Sequence, residues 1–234
     1  MSEWPGRGRR EAHPREPTYA LRGPLSDWVQ EQARAAHDAY GRYRLLDVGC
    51  GVKPYHPYFA PYVTEHVGVD IGNPNADLEG PIEDIPAEDA SFDVVLCTQV
   101  LEHCLDPAAA VRELHRVTKP GGRVLLSTHG VYVYHPAPTD LWRWTHAGLE
   151  RLFITNAPWA SVTVTPAAGT TATLGMLIAI YVDLVFKNLR LRAAGRPFVS
   201  AVNRAAAAVD RRSATLRGTG PGSLIANYHV LAVK

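Results

Sequence analysis

The chain lacks a dominant charge: its 24 basic and 23 acidic residues leave a formal net charge of +1. Nothing in that balance pulls the whole molecule toward nucleic acid, which is therefore disfavoured as a partner. Cysteine is scarce. Cys50, Cys97 and Cys104 are odd in number and include no CxxC pair, which argues against a disulfide framework or a zinc site. No metal is expected, and a reducing cytoplasm fits. No apolar run reaches the ~20 residues that span a bilayer. The opening MSEWPGRGRREAHPREP has no apolar core of signal-peptide length and reads as a disordered leader over residues 1–17. Internal repeats are also absent. What remains is ordinary for a soluble fold: 46% hydrophobic and 20% charged residues, with residues 18–234 as a single domain.

Within that domain, apolar strands alternate with helices. Ser26 precedes DWVQEQARAAHDAY, whose Trp28, Val29, Ala33, Ala36 and Tyr40 recur at helical spacing until Gly41. Short buried strands follow at 44–48, 66–71, 91–97 and 123–128. Between the last two, Asp106-Pro107 opens a helix as N-cap and first turn, and KPGG (119–122) ends it. Strands apolar throughout, alternating with helices, predict an α/β fold with a parallel sheet covered on both faces. SVTVTP (161–166) and YHVLAVK (228–234) instead alternate like antiparallel strands at a sheet edge.

The first strand runs into LLDVGCGVKPY (45–55). Ligands of a doubly wound sheet bind beyond the carboxyl ends of its strands. Gly49 and Gly51 let backbone turn sharply and approach a ligand there. A glycine pair after a strand is often only a tight turn. Asp70 shifts the balance: it ends the next strand, where an acid accepts hydrogen bonds from ribose hydroxyls. A dinucleotide needs its glycine loop to open directly into a helix that receives the pyrophosphate, but Pro54 and Pro57 interrupt that start. S-adenosylmethionine, a nucleoside joined to an amino acid, suits the loop better than a nicotinamide cofactor.

LLDVGCG (45–51), VGVD (67–70), EDIPAEDASFDVVLCTQVLEH (83–103) and ELHRVTKPGGRVLLST (113–128), in this order, resemble the class I S-adenosylmethionine-dependent methyltransferases, in particular the ubiquinone and menaquinone (type 11) group. The resemblance covers about residues 44–154. It implies a Rossmann-like, doubly wound, seven-stranded sheet, mostly parallel with an antiparallel last strand, and a helical insertion before that strand. It also implies that Gly49, Cys50 and Gly51 surround the methionine part of the cofactor. Asp47 would brace that loop or receive the ammonium group, and Asp70 would hold the ribose with Ile71 against adenine. Ile82 and Glu83 would line the adenine edge, and Thr98 and Gln99 would lie beside the methionine moiety. Two positions depart from the pattern. Lys53 replaces a third glycine, and Pro81 stands where many relatives carry an acid that accepts from adenine, leaving backbone or Asp84 for that task. Glu83 and Asp84 read equally well as solvated turn charges.

For the transfer step, a positioned histidine suits proton removal near neutral pH. Three candidates stand near the expected site. His103 belongs to the LEH segment, where orienting a loop is the alternative role. His129 follows the strand RVLLST. His135 opens HPAPTDLWRWT (135–145), with Asp140, Trp142, Arg143 and Trp144 close behind. Either Asp140 and Arg143 form a structural pair under the two indoles, or His135 and Asp140 face the acceptor as base and orienter. Tyr132 and Tyr134 are further candidate walls. A similar arrangement occurs in a subgroup often associated with cell-surface sugars and glycolipids, which is analogy only.

ATLGMLIAIYVDLVF (172–186) is almost wholly apolar, and residues 187–217 then carry eight basic residues against the single acid Asp210. The insertion, taken as 170–217, reads as a cap over the site, a homodimer face or a contact with an anionic membrane surface. Together these readings describe a cytoplasmic enzyme, peripheral at the inner membrane face in the last case, that methylates a small-molecule or lipid- or sugar-linked acceptor at oxygen. The rivals are a nicotinamide-dependent oxidoreductase and an inactive cofactor-binding partner subunit.

Overall fold

The computed structural model describes residues 4–136 and 139–234. Its seven strands are β1 (Tyr43–Val48), β2 (Val63–Asp70), β3 (Leu78–Glu79), β4 (Phe92–Thr98), β5 (Thr118–His129), β6 (Ser161–Pro166) and β7 (Asn227–Val233). They form one sheet in the order β3-β2-β1-β4-β5-β7-β6. Pairings from β3 to β5 are parallel, and β7 runs antiparallel to both β5 and β6. The chain leaves β1 toward one edge and returns at β4 toward the other. The carboxyl ends of β1 and β4 therefore flank a crevice.

Strand alternation explains why both faces must be covered. Leu46, Val48, Val95, Cys97, Val124 and Leu126 pack on the side of α4 (Pro107–Val117) and α5 (His146–Asn156). Leu45, Val94, Leu96 and Leu125 pack on the side of α2 (Tyr19–Tyr40) and Met176 of α6 (Thr170–Asn188). Each such side chain, fully buried, contributes roughly 1.5–3 kcal/mol. The Asp106 carboxylate caps α4 by accepting from Ala108 N (2.9 Å) and Ala109 N (3.0 Å), as its place before Pro107 predicts.

Several details differ from the sequence reading. Helix α2 begins at Tyr19, before the Gly23-Pro24 pair that looks like a breaker, because Ala20, Leu21 and Leu25 are drawn into the core. KPGG (119–122) belongs to β5 rather than to a loop, and α5, β3 and the single turn α3 (His56–Phe59) had no clear pattern. β6 lies at the edge, but β7 is interior and nearly all buried. The expected disordered leader is folded from residue 4 onward, with one helical turn, α1 (Arg7–Arg10). Residues 1–3 lie outside the described region.

The insertion is a helical hairpin of α6, α7 (Arg192–Arg212) and the short α8 (Ala214–Arg217). Asp210, the one acid of the basic stretch, accepts from Thr171 N (3.0 Å) and Ala172 N (2.9 Å) and so caps α6. Close helix approach is permitted at Gly175, where a Cβ would meet Ala206 Cβ at 2.7 Å. At 19 residues α6 is longer than its 15-residue apolar core suggested, and it is long and apolar enough to cross a membrane. In this fold its Ala172, Thr173, Gly175, Met176 and Ala179 are instead buried against protein.

His229, in β7, is 4% exposed, stacks on Trp28 at 4.5 Å and has no partner for Nε2. Burial lowers its pKa from 6.5 to about 3. Between those values the unfolded chain binds a proton that the folded one does not, so stability falls as pH drops below about 6.5. His229→Leu should flatten part of that slope, measured as urea midpoints at pH 7 and pH 5.

Candidate functional site

A cavity of about 1150 Å³ opens at the crevice beyond β1 and β4. Its first wall is the turn after β1. Gly49 has φ of 65°, and a Cβ there would meet Val100 Cγ2 at 2.3 Å, so neither the conformation nor the space admits a side chain. Gly51, with φ of 52°, donates its N–H to Asp70 Oδ2 (2.9 Å), and Asn73 Nδ2 bridges Gly51 O (2.7 Å) and Asp70 Oδ2 (3.0 Å). The acid at the end of β2 is thereby fixed against the glycine turn, with its carboxylate on the cavity wall.

Lys53 has its own reason to stand in place of a glycine. It adopts φ of 50° and its ammonium bonds His66 O (3.1 Å) and Asp77 Oδ2 (2.5 Å), while Asp77 also accepts from Gly68 N (2.7 Å). Asp47 is turned away from the cavity, 3.3 Å from His66 Nε2, and burial holds its carboxyl above the ordinary value. His66 Nδ1 meets His56 Nδ1 at 2.9 Å, and His56 stacks on Trp4 at 4.1 Å. Trp4 Nε1 then donates to Lys53 O (2.9 Å), and Arg10 donates to Pro54 O. The N-terminal segment thus straps the cofactor-type loop. Of the two roles considered for Asp47, this geometry serves the bracing one.

Eighteen residues had been expected on the cofactor or acceptor walls or beside them as catalysts, and the cavity collects twelve of these. Gly49, Gly51, Asp70, Ile71, Ile82, Glu83, Thr98, Gln99, His103, His129, Tyr132 and His135 all line it. Cys50 does not: its thiol packs back against Gly68, and burial lifts its pKa to about 12. The Gln99 amide nitrogen is engaged with Ser127 Oγ (2.8 Å) and Asn227 Oδ1 (2.9 Å), while its Oε1 has no hydrogen-bond partner. Glu83 lies on the wall with Oε1 accepting from Leu105 N (2.6 Å), so it also ties the loop before α4. Tyr134 is 75% exposed and outside the cavity.

The segment 135–145 is organised by an ion pair. Arg143 Nη1 and Nη2 donate to the two oxygens of Asp140 (2.5 and 2.6 Å), and Arg143 Nη2 also reaches Val133 O (3.1 Å). Trp142 Nε1 donates to Cys104 O (2.8 Å) and its ring stacks on Trp144. Arg143 and Trp142 therefore anchor the loop rather than wall the cavity. Asp140 serves both sides: the guanidinium holds its carboxyl well below the usual range, and it accepts from His135 N (2.9 Å) with His135 Nδ1 at 3.2 Å. Residues 137 and 138 of this segment lie outside the described region.

Sequence reasoning missed Glu102, the middle residue of LEH. It is fully buried and accepts from Thr128 Oγ1 (2.9 Å), while its backbone carbonyl accepts from Leu141 N (2.9 Å). Burial raises its pKa to about 7. His129 Nε2 lies 3.2 Å from Glu102 Oε1, its ring is stacked on Tyr132 at 4.2 Å, and burial lowers its pKa to about 3. An acid within an otherwise apolar strand-end segment was the available signal. Arg9, Thr18, Leu21 and Arg22 were also missed, because the leader and the start of α2 form a cavity wall. No residue of 170–217 is among the lining residues, so the insertion does not roof this cavity.

Residues 46–126 match the family model described as a methyltransferase domain. They are a methyltransferase domain. The domain is similar to the ubiquinone biosynthesis O-methyltransferase of Pseudomonas aeruginosa (strain LESB58), 36% identical over 121 residues that cover 44% of this chain and 49% of that protein. An uncharacterized methyltransferase of Bacillus subtilis, YcgJ, is 34% identical over 42% of this chain and 43% of its own length. The chain spans about half the length of the curated relatives it matches. The solved YcgJ structure has a TM-score of 0.52 at 21% identity, covering 91% of this chain and 98% of that one. A putative sarcosine dimethylglycine methyltransferase from Galdieria sulphuraria has a TM-score of 0.54 at 14% identity, over 89% and 86%. These structures share the fold of the methyltransferase domain, as the doubly wound order requires.

Gly49→Ala should cost about 2–4 kcal/mol, from left-handed strain together with overpacking against Val100. Urea denaturation would measure it, and a loss below about 1 kcal/mol would mean the turn is not so confined.

Proposed function

We propose that this chain transfers a methyl group from S-adenosylmethionine to an oxygen of a small or lipid- or sugar-linked acceptor. The observation that carries the reading is the carboxylate of Asp70, tied to Gly51 N at 2.9 Å and facing a cavity that continues to His129, Tyr132 and His135. One end of that cavity suits a ribose and amino acid, and the other an acceptor. The fit test is met at Gly51, which lines the cavity with φ of 52° and open space where a Cβ would stand, so that a side chain there would intrude on the cradle.

When bound, the cofactor supplies a methyl group already activated by its sulfonium. The chain's own residues do the rest. Asp70 accepts from ribose hydroxyls, with Ile71 and Ile82 beside the base. Pro81 offers no side-chain acceptor to adenine, so backbone of residues 80–83 carries that recognition. Thr98 and the Gln99 backbone border the methionine part, while Asp47 and Cys50 support the loop from behind. Arg9 and Arg22 face the same cavity from the N-terminal wall and suit the amino-acid carboxylate. Confinement aligns the acceptor behind the methyl carbon and excludes water. His103, His129 and His135, backed by Glu102 and Asp140, form the polar end that meets the acceptor oxygen and its proton.

The YcgJ and ubiquinone-enzyme likenesses support methyl transfer, and the latter's printed name supports an oxygen acceptor. A structurally similar phosphoethanolamine N-methyltransferase from Haemonchus contortus was solved with S-adenosylhomocysteine, which supports the cofactor. A nicotinamide cofactor is disfavoured by Pro54 and by the single turn α3 after the glycine loop, too short to receive a pyrophosphate. Isothermal titration should show S-adenosylhomocysteine binding, weakened roughly ten- to a hundredfold in Asp70→Ala, since each charge-assisted bond contributes about 1.5–3 kcal/mol. Absence of binding at millimolar ligand would refute the proposal. Binding without methyl transfer to any component of a cell extract would favour a partner subunit instead.

A peripheral membrane contact accompanies this reading. Leu189 and Leu191 are more than half exposed at the α6–α7 turn, as is Phe198 two turns into α7, with Lys187, Arg190 and the Asp183-paired Arg192 in the same stretch. An apolar tip ringed by cations fits an anionic lipid surface. The chain should float with anionic vesicles at low salt and not with neutral ones; failure with both would leave a homodimer face as the use of this surface.

A further inference from the structure

Glu102, His103 and His135 come from two separate segments, one following β4 and the other β5, yet each presents a donor atom within 4.8 Å of the other two. Hydrogen bonds to backbone carbonyls dock residues 139–142 onto Glu102 and His103, but no hydrogen bond joins the three side chains to one another. Glu102 is 0% exposed, and its Oε1 has no hydrogen-bond partner even though His129 Nε2 lies 3.2 Å away. A buried carboxylate oxygen left unpaired is costly, and such groups are ordinarily paired or on a metal.

The His103 imidazole is prepared from behind. His103 Nδ1 faces the carbonyl of Thr139, which can only accept, so that nitrogen carries the proton and the Nε2 lone pair is free. His135 is held through its backbone N–H, which donates to Asp140 Oδ2 (2.9 Å), while its Nδ1 lies 3.2 Å from the same oxygen without a hydrogen bond; Asp140 is itself gripped by Arg143. Carbonyl or carboxylate oxygens behind the outer nitrogen are the usual support of metal-ligating histidines. His103 and His135 line the cavity that also holds the glycine turn and Asp70, so coordination positions left open would face it.

We propose that Glu102, His103 and His135 bind a divalent transition-metal cation at the acceptor end of the cavity. Two imidazoles and one carboxylate are borderline donors that suit zinc, cobalt, iron or manganese better than magnesium or calcium. Ligand atoms on such a cation, each about 2.0–2.2 Å from it, lie about 3–4.4 Å apart, so small side-chain rotations close the site. The cation offsets the charge of the buried Glu102, and His129 stands close enough to approach as a fourth donor. Resting on the methyl-transfer reading, its use is to hold the acceptor oxygen as a Lewis acid and ease its loss of a proton. Binding of the cation itself does not depend on that reading.

The test uses tag-free, chelator-treated protein and needs no cofactor, so its failure and a failure to bind S-adenosylhomocysteine are separate results. Cobalt(II) chloride is titrated in while d–d absorption is followed, and zinc binding is measured by equilibrium dialysis. The expected result is one saturable equivalent, with d–d bands altered by bound imidazole. Glu102→Gln and His135→Ala should each weaken binding at least tenfold, and His115→Ala, at a histidine outside the cluster, should leave it unchanged. Absence of saturable binding overturns the proposal. So does binding that survives both cluster substitutions, because it would then belong to other histidines. Circular dichroism of Glu102→Gln, which keeps the shape of the side chain, checks that its fold is intact.

Discussion

Everything at the crevice depends on how closely the turn after β1 can pass the Val100 side chain beyond β4. Gly49 and Val100 approach so tightly that any Cβ on the glycine would overlap the valine. This contact sets the curvature of the turn, and the turn sets where Gly51 presents its N–H to Asp70. Asp70 in turn is held by Asn73, and Gly51 O by the same amide. The polar edge of the cavity is therefore built almost without flexible side chains. An edge set in advance in this way loses little freedom when a ligand binds.

The opposite end is organised on another plan. Glu102 sits below the cavity in the apolar floor, and its carbonyl takes two N–H groups from the 141–142 backbone. Arg143 and Asp140 then lock the loop from outside, with Trp142 pinned to Cys104 O. Side chains shape this end, and they cluster as imidazoles around one buried acid. A rigid backbone cradle thus faces an adaptable, titratable wall across one cavity. Such a division suits a constant ligand on one side and a family-variable ligand on the other.

The sheet and its order were legible because buried parallel strands are written as continuous apolar runs, and RLLDV, HVGVDI and RVLLST leave little choice. The cavity-lining residues Gly49, Gly51 and Asp70 were legible for a similar reason: their placement depends on local backbone. Long-range packing was not legible. Gly23-Pro24 looks like a helix breaker, but the core contacts of Leu21 and Leu25 outweigh the missing N–H. The leader is polar and rich in arginine, and nothing local says that Trp4 will find His56 or that Arg9 and Arg22 will reach the cavity. Cys50 was misassigned to the cofactor wall because a motif fixes order along the chain, not the face to which each side chain turns. Glu102 escaped notice since burial, the property that makes it unusual, is invisible in one dimension.

The strap formed by the first residues carries a thermodynamic corollary. Trp4 and Arg10 are bonded to the loop at Lys53 and Pro54, and α7 reaches the same segment through Asn203, which donates to Pro14 O and Glu16 O. Loop, leader and insertion are thus parts of one mechanical circuit. Coupling of this kind is reciprocal: whatever orders the loop must also quiet the leader and the hairpin, and whatever grips the hairpin must be felt, in equal free energy, at the glycine turn.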